Sequence, residues 1–178
     1  MSMPVKLRKY WSDILRPVLA GEAAPTIPQA VVLRDQDVLL VKRDSPALWE
    51  LPGGAVLAGE SLEDAVRREV REETGVRVEI VDLLGWYDRT GFRAHRSPIF
   101  VCRPLQASLG SPADDVVDIR YFPLSDLPRA MFPWYRSILG TDLASAAARP
   151  LQQRQRLGLY VVVQCVWLDI RARLGLIR

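Results

Sequence analysis

The stretch Gly54-Ala55-Val56-Leu57-Ala58-Gly59-Glu60-Ser61-Leu62-Glu63-Asp64-Ala65-Val66-Arg67-Arg68-Glu69-Val70-Arg71-Glu72-Glu73-Thr74-Gly75-Val76 reads as a loop that runs into a helix with a written start and stop. Ser61 with Asp64 three residues later is an acidic form of the capping box, and Gly75 suits the left-handed residue that ends a helix. Leu62, Ala65, Val66 and Val70 recur at helical spacing and supply one apolar stripe over residues 61–74. On the remaining surface Glu69, Glu72 and Glu73 stand at i, i+3 and i+4, so three carboxylates share a face. Each like-charge pair destabilises an isolated helix by about 0.2–0.5 kcal/mol.

Outward from this segment, strand-like runs alternate with helical ones. Ala30–Arg34 and Val38–Lys42 flank a polar turn at Asp35-Gln36-Asp37, and residues 44–59 read as a loop rich in Gly and Pro. Further strands are expected over Arg77–Leu84, Pro98–Arg103 and Val116–Phe122, with a short helix over Pro128–Leu139 and a weaker helical stretch over Leu143–Ala148. Strands interleaved with helices imply an α/β core. The expected organisation is an N-terminal amphipathic helix extension over 1–24, a central domain over 25–142 and a C-terminal helical extension over 143–178. Leu7, Trp11, Ile14, Leu15, Val18 and Leu19 make the stripe of the first extension, while the apolar run Leu157–Leu168 makes the last.

Composition narrows the function. With 49% apolar and 25% charged residues, the 178-residue chain is neither collagen-like nor low-complexity nor largely disordered. The net charge of +3 is unevenly spread: residues 1–24 carry +2, residues 25–142 carry −4 and residues 143–178 carry +5. An acidic centre between basic tails argues against a stable DNA complex and for a cation-binding middle. Cys102 and Cys165 are too few and too far apart for a disulfide framework or a zinc site. Trp11, Asp13 and Arg16 interrupt any secretory pattern, so the expected location is the cytoplasm. Leu157–Leu168 is too short for a bilayer-spanning helix; packing within the chain or between two copies is favoured for it over contact with a membrane surface.

Three oxygen donors on one helical face suit a hard divalent cation, because Mg²⁺ prefers oxygen ligands and keeps waters that substrate phosphates can replace. The side-chain-free Gly53-Gly54 pair lets backbone approach metal or phosphates, and an Arg68–Glu60 pair would hold the loop on the helix. The competing reading of a helix with Arg67, Arg68 and Arg71 among its acids is a solvated, salt-bridged face. The full pattern Gly-x5-Glu-x7-Arg-Glu-aliphatic-x-Glu-Glu-x-Gly-aliphatic occurs by chance in a chain of this length at well below about 10⁻⁶.

That pattern resembles the signature of the Nudix hydrolase family. The flanks Leu39-Leu40-Val41-Lys42-Arg43, Trp49-Glu50-Leu51-Pro52-Gly53-Gly54 and Ile119–Leu127 extend the likeness to roughly residues 27–140. The resemblance implies an α/β/α sandwich with a mixed sheet and hydrolysis, dependent on Mg²⁺ or Mn²⁺, of a nucleoside triphosphate or nucleoside diphosphate derivative. By position it implies Glu69, Glu72, Glu73 and the Gly54 carbonyl as metal ligands. The resemblance implies as proton acceptor a box glutamate, or an acid or histidine on a later loop, with Asp114, Asp115 and Asp118 in reach of that role and Asp118 singled out. His95, the single histidine, is expected to be exposed or to touch substrate. Arg43, Arg89, Arg93 and Arg96 are candidates for substrate phosphates; Trp86, Tyr87, Phe92 and Trp134 are candidates for stacking, each with a core reading beside it.

The motifs associated with NADH-cleaving and coenzyme-A-cleaving members are not matched. Where ADP-ribose-cleaving members carry a proline, Thr90, Gly91 and Phe92 stand. A non-catalytic nucleotide-sensing module of the same fold is the rival reading, and RNA 5′-end processing is a chemical variant of the first. The intact carboxylate set favours an enzyme.

Overall fold

Alternation along the central strands divides the core into two layers. In β1 (Gln29–Arg34), Val31 faces one layer while Ala30 and Val32 face the other, and all three are fully buried. In β2 (Asp37–Arg43), Val38 and Leu40 join the first layer and Leu39 the second. Strands buried on both faces need cover on both sides, and helices supply it. The computed structural model describes residues 24–91, 94–111, 115–141, 143 and 151–177. The amphipathic segment 4–20, Phe92, Arg93, Asp114 and all of Leu143–Ala148 but Leu143 lie outside the described residues.

The remaining elements are β3 (Trp49–Glu50), α1 (Leu62–Thr74), β4 (Val78–Gly91), β5 (His95–Pro104), β6 (Val116–Pro123), α2 (Pro133–Leu139), β7 (Leu151–Leu157) and α3 (Leu159–Arg173). The sheet runs β3-β2-β1-β5-β4-β7, with β6 also paired to β2. It is mixed: β1 is parallel to β5 with Gln29 opposite Ile99, β4 is parallel to β7 with Gly85 opposite Leu151, and the other pairings are antiparallel.

α1 forms where its caps and stripe place it. The Ser61 hydroxyl accepts the Asp64 N–H at 3.1 Å, and the left-handed Gly75 returns its N–H to the Arg71 carbonyl at 2.8 Å. Such an N-cap stabilises by about 1 kcal/mol. Ala65, Val66 and Val70 are completely buried, the two valines against Ala30, Val32, Leu39, Phe100 and Cys102. Each buried valine contributes about 1.5–3 kcal/mol, so Val66→Asp would detach the helix. α2 and α3 cover the opposite layer through Tyr135, Ile138, Leu139, Cys165 and Leu168.

The C-terminal segment is helical over Leu159–Arg173, but residues 151–157 form a strand that the sequence reading did not anticipate. Its alternation is weak to the eye because Gln153 and Gln155 take the partly covered positions while Gln152, Arg154 and Arg156 stay exposed. Asp169 of α3 accepts the Ala47 N–H at 2.7 Å, and Arg173 donates to the Asp44 carbonyl at 2.6 Å, tying the helix to the loop after β2. No helix among the described residues is long and apolar enough to cross a membrane.

Candidate active site

The loop 51–60 and α1 are joined by one guanidinium. Arg68 grips Glu60 with two hydrogen bonds, Nε to Oε1 at 2.8 Å and Nη2 to Oε2 at 2.9 Å, and Nη2 also donates to the Ala55 carbonyl at 2.8 Å. Its Nη1 donates to Glu69 Oε1 at 2.8 Å and to Glu72 Oε2 at 3.0 Å. The expected Arg68–Glu60 clasp is therefore present, and one cationic nitrogen bridges two of the three box carboxylates. The Glu60 N-terminal neighbour Leu57 adds an N–H to Glu60 Oε2 at 3.0 Å.

A second guanidinium organises the inner end of the helix. Arg43, at the end of β2, donates to Glu50 of β3 at 2.5 Å and binds both Glu73 of α1 and Asp115 ahead of β6. Glu73 is 5% exposed and also accepts the Gly53 N–H at 3.0 Å. Burial pushes its carboxyl up to about 7; Glu50 nearby adds to the rise, while the Arg43 charge and the Gly53 amide oppose it.

Two glycines let backbone and carboxylates meet. A methyl group on Gly54 would lie 2.5–2.6 Å from the Glu69 carboxyl, so that carboxyl rests where any other residue would put its Cβ. Gly53 has φ +150°, and a methyl there would lie 2.3 Å from the Pro28 carbonyl oxygen. The donor chemistry fits a hard divalent cation: Glu69, Glu72 and Glu73 offer oxygen alone, beside a backbone cleared of side chains. No group of three or more His, Cys, Asp or Glu side chains among the described residues stands close enough together to hold a metal ion. Arg68 and Arg43 already bring positive charge to these carboxylates.

The other sequence candidates divide. Asp118 lies on β6 opposite Lys42 and accepts from Arg120 at 3.1 Å; it is Asp115 that the fold ties to Arg43 and so to Glu73. Arg89 corrects the expectation of a phosphate-facing cation: β4 runs on to Gly91, and Arg89 is 2% exposed, bonded to Gln29 at 3.1 Å and Gln155 at 3.0 Å. His95, expected to be exposed or to touch substrate, is buried with its Nε2 2.6 Å from Arg89 Nη1. Longer strands account for both, because β4 and β5 continue pairing as far as Arg89 opposite His95. Tyr87 is fully buried; Trp86 lies under the Arg96 guanidinium at 4.2 Å; Trp134 stacks on Phe132 at 4.6 Å and packs on the core. Glu50, in the Trp49–Gly54 lead-in, joins the site through Arg43, a contact that no local spacing in the sequence signals.

Comparison with known proteins gives the family and the fold. The model of the NUDIX domain matches residues 26–140. The chain is 34% identical over 108 residues to an ADP-ribose pyrophosphatase of Methanocaldococcus jannaschii, covering 57% of this chain and 63% of that protein. It is 40% identical over 79 residues to a MutT-like protein of Streptomyces ambofaciens, covering 44% of this chain and 51% of that protein. The chain thus spans less than two thirds of either relative. A crystal structure of a NUDIX hydrolase from Nitrosomonas europaea superposes with a TM-score of 0.66 at 22% identity over 76% of this chain and 81% of the other, a likeness of fold. The chain belongs to the NUDIX family, whose hydrolases generally use divalent metals.

Proposed function

We propose that the protein hydrolyses the diphosphate linkage of a nucleoside triphosphate or nucleoside diphosphate derivative at the cluster of Glu69, Glu72 and Glu73. The observation that carries this reading is the single Arg68 nitrogen shared by Glu69 and Glu72, with the Glu69 carboxyl set against the bare Gly54 backbone. Those three glutamates, with the Gly54 carbonyl, are the residues that would hold Mg²⁺ or Mn²⁺. Such an ion, when bound, neutralises charge on phosphoryl oxygens and makes a water molecule more acidic.

The chain's own groups do the rest. Arg68 keeps Glu69 and Glu72 oriented from the loop side, and Arg43 fixes Glu73 from the sheet side. As the oxygen of water bonds to phosphorus, an anhydride P–O bond breaks and a carboxylate takes the proton. Among the later acids, Asp115 is tied to the cluster through Arg43, whereas Asp118 is held by Arg120. The names of the relatives, an ADP-ribose pyrophosphatase and a MutT-like protein, support a nucleotide substrate.

A Mg²⁺-dependent screen over normal and oxidised nucleoside triphosphates, ADP-ribose, nucleotide sugars, dinucleotides and capped RNA tests the reading. Glu69→Gln is expected to lower kcat by about 10³-fold, the several kcal/mol that charge stabilisation at phosphorus supplies. Turnover unchanged in Glu69→Gln and in Glu73→Gln, with circular dichroism intact, would refute it.

A further inference from the structure

On the flank of α1, adjoining the carboxylate cluster, lies a cleft of about 550 Å³ lined by Arg67, Arg68, Arg71, Glu72, Arg77, Val78 and Leu105. Four arginines and one glutamate line it. Arg67 and Arg71 stand at i, i+4 and Arg68 and Arg71 at i, i+3, spacings at which like charges repel along a helix. Two of the four are neutralised: Arg67 by Asp64 at 3.0 Å, and Arg68 by Glu60, Glu69 and Glu72. Arg71 and Arg77 are exposed and make no ion pair among the described residues. The helix dipole accounts for a cation at Arg71, in the last turn. It does not account for Arg77, which lies beyond the helix, ahead of β4. The hydrogen bond from the Leu105 N–H to the Arg77 carbonyl, 2.8 Å long, ties these two residues together. The 62% exposed Leu105 gives the cleft an apolar side against which a flat ring can lie.

We propose that this cleft is a second subsite for a nucleotide, with Arg71 and Arg77 binding a phosphate group that lies beyond the diphosphate being cut. Two arginines that line one concavity and make no ion pair among the described residues can together recognise a phosphate. Arg68 and Glu72 belong to both this cleft and the carboxylate cluster, so an extended substrate has one continuous wall to follow. The identity of the ligand as substrate rests on the proposed hydrolase activity; the existence of an anion subsite does not.

The test is calorimetric titration of the full chain with ATP in EDTA, which removes divalent ions from the carboxylates. Wild type is expected to bind, and the double variant Arg71→Glu/Arg77→Glu to bind at least about tenfold more weakly, since each charged contact is worth about a factor of ten. Arg77→Lys is expected to retain most of the affinity, and Arg129→Glu, outside the cleft, to change it less than twofold. Circular dichroism reports whether each variant is folded. No ATP binding by wild type, binding that charge reversal leaves unchanged, or an equal loss in Arg129→Glu would overturn the proposal. Metal-free binding that meets these expectations without turnover in Mg²⁺ would sustain the subsite while refuting the hydrolase reading.

Discussion

Two arginines hold the acidic face of α1, and they do so from different distances along the chain. Arg68 binds Glu60, Glu69, Glu72 and the Ala55 carbonyl, all within thirteen positions of itself. Arg43 binds Glu50, Glu73 and Asp115, which are 7, 30 and 72 positions away. The side chain of Glu72 is 57% exposed, whereas that of Glu73 is 6% exposed. Arg68 serves acids that run from partly covered, Glu60 and Glu69, to exposed, Glu72, whereas Arg43 compensates the buried Glu73 charge as well as reaching the exposed Asp115. Removing the second leaves a carboxylate that water cannot reach, so the energetics diverge although the chemistry of the pairs is alike.

The largest effect that follows is on stability. Arg43→Met is expected to destabilise the fold by about 3 kcal/mol, the lower part of the range for breaking a buried ion pair from one side. Arg68→Met is expected to cost clearly less, because solvent takes over much of its role. Guanidinium denaturation of both variants measures the difference, and equal midpoints would erase the distinction between a buried and a solvated clamp.

The distinction also explains how much could be read in advance. The helix caps, the apolar stripe, the Arg68–Glu60 clasp and the facing of Glu69 and Glu72 all depend on spacings of a few residues, which a sequence displays directly. The Arg43 cluster depends on β2 lying beside β3 and β6 so that Glu50 and Asp115 converge, and nothing local records that. Arg89, a candidate for substrate phosphates, and His95, expected to be exposed or to touch substrate, differ for the same reason: extended pairing of β4 and β5 carries both into the interior. β7 escaped notice because its partner, β4, begins 73 positions earlier, and polar glutamines occupy its covered side.

A next, more selective pair of substitutions separates positioning from folding at adjacent residues. Gly54→Ala pushes a methyl group into the Glu69 carboxyl, the movable end of a side chain. It is expected to leave the unfolding midpoint nearly unchanged and to lower turnover by about 10²-fold, the effect of misplacing a reacting group by about 1 Å. Gly53→Ala instead meets the Pro28 carbonyl oxygen and the Gln29 Cα, in a backbone conformation that disfavours a side chain. It is expected to destabilise the fold by about 2 kcal/mol. Thermal melts alongside kinetics distinguish the two; loss of stability in Gly54→Ala would show that Glu69 is held too rigidly to yield.

The smallest effect is the pH dependence of the solvated clamp. The hydrogen bonds from Arg68, followed by that from the Leu57 N–H, hold the Glu60 carboxyl down from the ordinary 4.5 to about 2. The folded protein therefore takes up this proton less readily than the unfolded chain. Stability from the clasp is complete above pH 4.5 and is lost as pH falls from there towards 2. Glu60→Gln carries no such charge, so its stability deficit relative to wild type should be widest near neutrality and should shrink through that acid window. Urea unfolding of both proteins between pH 3 and 7 measures the closing gap. A deficit that stays constant across the range would mean that shape and neutral hydrogen bonding hold the loop on α1, and that the charge on Glu60 adds nothing to what Arg68 does from its own side of the helix.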